Sequence, residues 1–308
     1  MNLVRIANLD ASEPFDLSAL VASWSVTVDA RINFLTPVGA AGAFDVLGRA
    51  RASEAEARMD LELVIKGADE AAVSAAAREA ARALFGATWA QGLRRLYWRE
   101  GMREMWSVAR AVARPEAVHE PGYVSHTRLR CQLVLPDPFA YWPLDAGWLA
   151  ANGYTAATLP AADVPEQIAP DLTFARFTVT VSPFAFTLRH LGDLETGRVL
   201  FLLYSNVAGG MTNPRIENLT TGQSWQVALT EATNQTRLSV YAAPGMGRAL
   251  RTDSAGASWA DVTSRLQLGD LQAVLMELAP GDNALRYTDG GTPNLTLYVA
   301  WWHVYRIV

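Results

Sequence analysis

The chain has 308 residues, of which 50% are hydrophobic and 19% charged, a globular composition that excludes wholesale disorder and suggests about two domains. Its net charge of -5 leaves no basic excess to neutralise phosphates, which argues against a nucleic-acid binder, and its single cysteine excludes an internally disulfide-bonded scaffold. The N-terminus lacks a signal-peptide pattern, and no apolar run reaches the roughly 18 residues that span a bilayer. We therefore expect a soluble protein of a reducing compartment, without a membrane anchor.

The first half of the chain is predicted to contain strands and one helix. Ser23–Val28 and Met59–Ile65 alternate apolar and polar residues with a period of two, which indicates half-buried strands. A helix is predicted to begin after Asp69, a suitable N-cap, and to end before Gly86. Its buried face is predicted to be a stripe at helical spacing, formed by Val73, Ala77, Ala80 and Leu84.

A hairpin and a further strand are predicted after this helix. Arg94–Trp98 and Met105–Val112 are separated by a turn signal and predict the hairpin. Leu129–Leu133 alternates again, and within it Cys131 is predicted to be a small buried hydrophobic residue. Prolines end this strand, because proline cannot donate a ladder hydrogen bond.

The segment from Asp29 to Arg51 lies between two predicted strands and is rich in glycine and alanine. Such residues bury little core, and two interpretations are open. The segment is either a flexible surface loop or a hairpin arm that reaches a neighbouring subunit. The arm would present Phe34, Pro37 and Phe44 to that subunit.

The second half is predicted to be a β-sandwich that follows a proline-rich connection. Prolines recur through residues 143–172, which predicts a linker or a draped loop. The predicted domains are therefore 1–142 and 173–308, with this connection between them. Short strands separated by turn signals are typical of a sandwich, and they are predicted at Phe174–Val181, Val199–Tyr204, Ser224–Leu229, Arg237–Tyr241, Ala273–Leu278 and Leu295–Trp302.

The sequence contains no recognisable catalytic, cofactor-binding or metal-binding set. Four histidines lack zinc-ligand spacing, and they are His119, His126, His190 and His303. Phosphate-binding, dinucleotide-binding and serine-nucleophile motifs are missing too. We predict no catalytic residue, no cofactor and no metal. The 31 acidic residues leave open a glycosidase-type carboxylate pair, although no acidic pair stands at the end of an apolar strand.

Three runs of residues, in this order, resemble the distal tail (Dit) proteins of siphophages. Leu133–Trp142 (LVLPDPFAYW) resembles the Asp-Pro-aromatic strand that closes the first domain in that family. Asn213–Gly222 (NPRIENLTTG) matches its recurrent Asn-Pro hairpin, and Leu278–Asn283 (LAPGDN) matches its Leu-x-Pro-Gly-x-Asn turn. Gly192-Asp193 stands where the family usually has Gly-Asn, and the long proline-rich connection is a second departure.

This resemblance implies a mainly β protein with one α-helix, built from an N-terminal split β-barrel plus helix and a C-terminal galectin-like β-sandwich. It implies a structural protein of the virion, assembled in the host cytoplasm. Such proteins form a ring at the tail tip, commonly hexameric, between the tail tube protein and the baseplate hub. The ring anchors receptor-binding or fibre proteins and gives DNA a passage without sequence recognition.

Two other functions stay open at this stage. The first is a carbohydrate-binding β-sandwich module, in which Trp225, Tyr241 and Trp259 would form a glycan-binding or partner-binding surface. Asn213-Pro214-Arg215 also occurs in galectins, but the downstream Trp-Gly-x-Glu of galectins is missing here. The second, weaker alternative is a glycan-hydrolysing enzyme.

Overall fold

The structure is a computed structural model. In it, the chain forms two compact units. Unit 1 comprises residues 1–142 and 305–308, and unit 2 comprises residues 143–304. The residues that the structure describes are 2–8, 13–31, 34–35, 44–45, 53–85, 93–112, 116–118, 125–135, 139–160, 163–165, 172–205, 210–231, 236–243, 246–252, 258–269 and 276–306.

Unit 1 combines antiparallel strands with one long helix, as the sequence predicts. Its elements are β1 (Asn2–Ala7), β2 (Phe15–Asp16), β3 (Val21–Arg31), β4 (Phe34–Leu35), β5 (Phe44–Asp45), β6 (Ser53–Lys66), α1 (Glu70–Phe85), β7 (Leu93–Glu100), β8 (Arg103–Ala111), β9 (Glu116–Val118), β10 (His126–Leu135) and β11 (Phe139–Pro143). The predicted hairpin is β7 and β8, which pair from Leu93↔Arg110 to Glu100↔Arg103.

The main sheet of unit 1 has the strand order β2-β1-β7-β8-β10-β6-β3. Strand β9 pairs with the first half of β10, and β11 pairs with β8. Because side chains alternate along a strand, each strand gives one set of residues to an inner face and the other set to an outer face. The inner face carries the core, in which Met59, Leu63 and Leu133 are at most 1% exposed.

Helix α1 packs its predicted stripe against this inner face. The Asp69 carboxylate accepts a hydrogen bond from the Ala72 N–H at 2.8 Å, which satisfies an otherwise unpaired donor of the first turn. Val73, Ala80 and Leu84 are buried, at 3%, 0% and 0% exposure. The predicted helix is thus confirmed, with three of the four stripe residues buried and Ala77 partly buried against the same core, while Gly86 lies outside the described residues.

Cys131 lies on β10 with its side chain in the unit 1 core. It is 5% exposed, and burial raises the pKa of its thiol to about 12. A thiol with so high a pKa is almost wholly protonated at neutral pH and is a poor nucleophile. The prediction of a small buried hydrophobic residue is confirmed.

Unit 2 is built almost entirely from strands. Its elements are α2 (Ala146–Ala151), β12 (Thr155–Thr158), β13 (Thr173–Val179), β14 (Phe184–His190), β15 (Val199–Ser205), β16 (Met211–Thr212), β17 (Arg215–Asn218), β18 (Gln223–Val227), β19 (Thr230–Glu231), β20 (Arg237–Ala243), β21 (Met246–Thr252), β22 (Ala260–Asp261), a 3-10 turn (Thr263–Arg265), β23 (Leu266–Leu268), β24 (Gly281–Thr288) and β25 (Leu295–Arg306), whose last two residues belong to unit 1.

Two antiparallel sheets of unit 2 enclose its core. The first has the order β12-β13-β25-β15-β20-β21-β22, and the second has the order β14-β24-β17-β18-β23. Their inner faces meet in one apolar cluster, where the rings of Phe201 on β15 and Trp225 on β18 lie 5.5 Å apart. The mainly β fold class is confirmed. Strands β14 and β24 were not predicted. Of the predicted strand Ala273–Leu278, residues 273–275 lie outside the described residues, and the described part forms no strand but a single bridge between Leu278 and Thr196.

The proline-rich connection contains two elements that the sequence did not predict, α2 and β12. The Asp145 carboxylate caps α2 by accepting the Trp148 N–H at 2.8 Å. The ring of Trp148 stacks 6.0 Å from that of Tyr154, and both lie near Trp301 of β25, at 6.1 and 5.8 Å. Aromatic contacts therefore fix this part of the connection on unit 2, while the domain limits 1–142 and 173–308 stay a prediction.

Among the described residues, no helix is both long and apolar enough to cross a membrane.

Candidate functional site

The Asn-Pro run forms a tight hairpin of strands β17 and β18. Asn213 has a φ of 49°, a left-handed conformation that asparagine adopts more readily than most residues, and its N–H donates to the Leu229 carbonyl at 2.6 Å. Gly222 has a φ of 74° and closes the turn with a hydrogen bond from its N–H to the Asn218 carbonyl at 2.8 Å. The ends of the motif therefore supply the two special backbone conformations of this hairpin.

The Leu-x-Pro-Gly-x-Asn run forms a turn that Asn283 holds from inside. The Asn283 Oδ1 accepts the Ala279 N–H at 2.9 Å, and its Nδ2 donates to the carbonyls of Ala279 and Gly281 at 2.7 and 3.2 Å. Gly281 has a φ of 93°, which a residue with a side chain rarely adopts. One side chain thus satisfies three backbone groups of the turn.

The two motifs meet through a pair of fully buried asparagines. The Asn218 Nδ2 donates to the Asn283 Oδ1 at 3.3 Å and to the Glu277 carbonyl at 2.8 Å. The Asn218 Oδ1 accepts the Thr220 N–H at 3.0 Å, and both asparagines are 0% exposed. Buried amides that are fully hydrogen-bonded fix one arrangement of the backbone. The motif residues therefore join two turns and form no ligand site.

Asp289 is a second polar centre, which the sequence reasoning missed. Its Oδ2 accepts hydrogen bonds from the Thr212 N–H at 2.8 Å and from the Tyr287 hydroxyl at 2.7 Å. Its own N–H donates to the Ser182 hydroxyl at 2.9 Å. Burial, together with the Asp289 charge, raises the pKa of Tyr287 above its usual value. Asp289 thus joins its own loop to the Thr212 loop through its carboxylate and to the Ser182 loop through its backbone.

The buried histidines His190 and His303 form a contact in unit 2. Their Nδ1 atoms lie 3.2 Å apart, and the Leu191 N–H donates to the His303 Nδ1 at 3.0 Å. Burial lowers the pKa of His190, although its contact with the Leu194 carbonyl opposes this. Both rings are 0% exposed, so the pair fixes the turn after β14. Within the described ranges no three His, Cys, Asp or Glu side chains are grouped as a metal site.

The same turn explains the glycine of Gly192-Asp193, the residue that this chain shares with the family pattern. A Cβ on Gly192 would lie 2.3 Å from the Val304 carbonyl oxygen and 2.5 Å from its nitrogen. Both distances are below van der Waals contact with backbone atoms that cannot move away. A glycine is therefore required at position 192 for packing.

The three aromatic residues predicted as a glycan surface do not form one. Trp225 is 0% exposed and lies in the sandwich core, so its prediction as a surface residue is wrong. Its neighbours, the buried Ser224 and the half-buried Gln226, lie on the other face of β18, and the alternation of the strand therefore directs the indole inward. Tyr241 on β20 and Trp259 just before β22 are half-buried, and they belong to the other sheet.

The predicted arm falls mostly outside the described residues. Strands β4 and β5 pair with each other in the register Phe34↔Asp45 and Leu35↔Phe44. They form a two-stranded ladder of their own, separate from the main sheet. Pro37 lies outside the described residues, and contact of this ladder with a neighbouring subunit stays a prediction.

The outer face of unit 1 carries a row of aromatic rings that the sequence reasoning did not identify. The registers Arg5↔Tyr97, Tyr97↔Trp106 and Trp106↔Tyr141 place one residue from each of four neighbouring strands side by side. The Arg5 guanidinium lies 3.9 Å from the Tyr97 ring centroid, and that of Arg95 lies 4.7 Å from the Trp106 ring centroid. We call these five residues the arginine–aromatic row. Arginine with tyrosine and tryptophan is the composition enriched at protein interfaces.

These features define a class of protein: a helix-bearing antiparallel unit followed by a two-sheet sandwich, with hairpin and turn motifs joined by buried asparagines. This is the fold of the Dit-like hub proteins of siphophages, so the resemblance seen in the sequence is confirmed for the fold.

The Dit (gp 19.1) protein of phage SPP1 has a similar solved structure, described as a paradigm of the hub adsorption apparatus in phages that infect Gram-positive bacteria. It matches with a TM-score of 0.51 at 12% identity, over 98% of this chain and 99% of that one. Two structures of the phage p2 baseplate in its activated conformation match with TM-scores of 0.44 and 0.43, at 8% identity and 97% coverage of both chains. No protein-family model and no curated protein matches the sequence.

Proposed function

We propose that the protein is a structural component of a siphophage tail tip. It forms a ring, hexameric as in the family it resembles, which joins the tail tube protein to the baseplate hub. The observation that carries this proposal is the likeness to the SPP1 Dit fold over nearly the full length of both chains. No catalytic step is assigned to it.

Unit 1 has a surface suited to contact between subunits. In the arginine–aromatic row Tyr97 and Tyr141 are buried, at 6% and 2% exposure, so the accessible part is the half-buried Trp106 with the arginines, of which the Arg5 side chain is 37% exposed. A closed ring needs two different surfaces of each subunit to meet head to tail. The row would supply one of them, and the β4–β5 ladder with Phe34, Pro37 and Phe44 would extend the contact.

The other roles follow from the position of such a ring in a virion. Receptor-binding or fibre proteins would attach to its outside, and DNA would pass through it without being bound. The net charge of -5 fits such a passage, because a protein without a basic excess does not retain phosphates. Assembly would take place in the host cytoplasm.

Light scattering coupled to size exclusion, with negative-stain microscopy of the full chain, tests the ring. The expected result is a particle of six times the 33.5 kDa chain mass with a central hole. Arg95→Glu is expected to release monomers, because it places a carboxylate over the Trp106 ring. Arg78→Glu, on the exposed side of α1, is the matched control. Monomeric wild-type protein at micromolar concentration, without rings on the grid, would contradict the proposal.

A further inference from the structure

Unit 1 contains an open polar groove that the proposed ring does not use. Its volume is about 530 Å³, within the range of small-ligand sites. It lies over strands β3, β6 and β10, beside β9. The residues that line it are Ser23, Trp24, Ser25, Asp60, Leu61, Glu62, Glu116, Arg130, Cys131 and Gln132.

Strand register explains why a groove forms at this place. Two cross-strand rows share the outer face, and they are Glu116↔Arg130↔Glu62↔Ser23 and Gln132↔Asp60↔Ser25. The row between them, Cys131↔Leu61↔Trp24, points to the core. The long side chains of β6, β9 and β10 form the walls of the groove. The two serines on the edge strand β3 are short, so the groove is open on that side.

The walls of the groove are held in place by hydrogen bonds among themselves. The Arg130 Nε donates to the Glu62 Oε2 at 3.0 Å, and the Gln132 Nε2 donates to the Asp60 Oδ1 at 3.1 Å. Each of these side chains has capacity beyond that contact. The second carboxylate oxygen of Asp60 and the Gln132 Oε1 can accept, the Nη groups of Arg130 can donate, and the serine hydroxyls can do both.

The charges around the groove narrow the class of ligand. An anion would meet the carboxylates of Asp60, Glu62 and Glu116. A cation would meet Arg128 and Arg130, which occupy both oxygens of Glu62 at 2.9 and 3.0 Å. A neutral polyhydroxyl ligand suits a mixture of fixed donors and acceptors, because each hydroxyl both donates and accepts. Trp24 belongs to the inward row, and its ring packs 5.1 Å from that of the buried Trp98, so the case for this ligand rests on the polar side chains.

We propose that this groove binds a neutral saccharide. The site is formed by residues of unit 1, whereas Tyr241 and Trp259 belong to unit 2, and it does not depend on ring formation. In this site Gln132 and Asp60 accept hydrogen bonds from sugar hydroxyls, and Arg130 donates to them. Ser23 and Ser25 keep the space open for the sugar ring.

Isothermal titration of the full chain with maltohexaose, cellohexaose and chitohexaose tests the proposal. At least one of the three is expected to bind. Gln132→Ala should then weaken binding about tenfold, the loss of one hydrogen bond. Gln226→Ala on β18 of unit 2 is the matched control and should leave the affinity unchanged. Ser25→Leu fills the groove without removing a wall contact, and it should abolish binding while the unfolding midpoint stays that of the wild type.

Three outcomes would overturn the proposal. The first is that none of the three hexasaccharides binds. The second is that Gln226→Ala weakens binding as much as Gln132→Ala, which would place the sugar on unit 2. The third is that hexa-arginine binds and Ser25→Leu removes that binding, which would make the groove a site for basic peptides. Particle mass from light scattering reports on the ring separately, so failure of one proposal leaves the other standing.

Discussion

The two units differ in what they bury. Among the described residues of unit 1, the buried polar side chains are Arg94, Ser107 and Thr127. Those of unit 2 are His190, Thr196, Ser205, Asn218, Ser224, Thr236, Arg237, Ser239, Thr252, Asn283, Thr296 and His303. Unit 1 keeps most of its charges and several aromatic rings on the outer face of one sheet, whereas unit 2 also buries amides, hydroxyls and imidazoles.

This difference tells us how each unit is stabilised. A helix on a sheet, as in unit 1, gains mainly from the apolar area that leaves water. A sandwich with long connections must also fix its turns, and in unit 2 buried side chains such as Asn283 do so by hydrogen bonding to backbone groups. Such networks add little net stability while intact but cost much when one member is lost. The units should therefore respond to different substitutions.

The largest expected change in the free energy of unfolding comes from the loss of apolar packing in unit 1. Leu84→Ala on α1 removes a fully buried side chain from the core, and it should lower the free energy of unfolding by about 3 kcal/mol. Urea unfolding followed by circular dichroism measures this. Arg78→Ala on the exposed side of the same helix is the control and should change stability by less than about 0.5 kcal/mol. A loss below about 1 kcal/mol for Leu84→Ala would show that α1 is not packed on the sheet as described.

The next effect is the loss of one buried amide in unit 2. Asn283→Ala leaves the Ala279 N–H and the carbonyls of Ala279 and Gly281 without their partner, at an expected cost of about 2 kcal/mol. The same urea titration applies, and the exposed Asn2→Ala is the matched control. If Asn283→Ala and Asn2→Ala had equal free energies of unfolding, the buried amide would not stabilise unit 2, and the contrast drawn between the two units would be wrong.

The smallest effect is a pH dependence that arises from His190. Burial lowers the pKa of this residue in the folded protein, so the unfolded chain binds more protons near its ordinary pKa of about 6.5. Stability is therefore greatest above that pH, falls as the pH drops through it, and stops falling below the folded pKa. The urea midpoint should decrease between about pH 7.5 and about pH 5.5.

The variant that tests the origin of this dependence is His190→Gln, which should flatten it. His126→Gln in unit 1 removes a histidine of the other unit and should leave the dependence unchanged. A pH dependence that persists in His190→Gln would assign it to other groups.

Much of the fold was predictable, because local patterns encode it. The alternation along β6 and β10 and the stripe on α1 depend on residues two to four positions apart, and the structure confirms them. Helix α2 was missed because six residues among prolines are too few to show a period. Trp225 was misplaced because an aromatic residue was taken as a surface feature, although its polar neighbours already indicated an inward side chain.

The joining of the motifs could not be predicted from the sequence. The residues of the hairpin and of the turn were identified, yet Asn218 and Asn283 are 65 positions apart, and their contact depends on the pairing of β17 with β24. The arginine–aromatic row depends in the same way on the registers of four strands. Sequence reasoning found the parts of these sites, whereas their assembly is a property of the sheets.

Strand β25 has a consequence for the order in which the protein folds. Its residues up to Val304 belong to unit 2, but Tyr305 belongs to unit 1, where its hydroxyl accepts a hydrogen bond from the Arg103 Nη1 at 3.3 Å. Unit 1 therefore contains residues that precede unit 2 in the sequence and residues that follow it. During synthesis the sandwich residues are all made before those that complete the first unit. The N-terminal unit, although translated first, therefore cannot form its Tyr305 contact until the residues of the sandwich have been made.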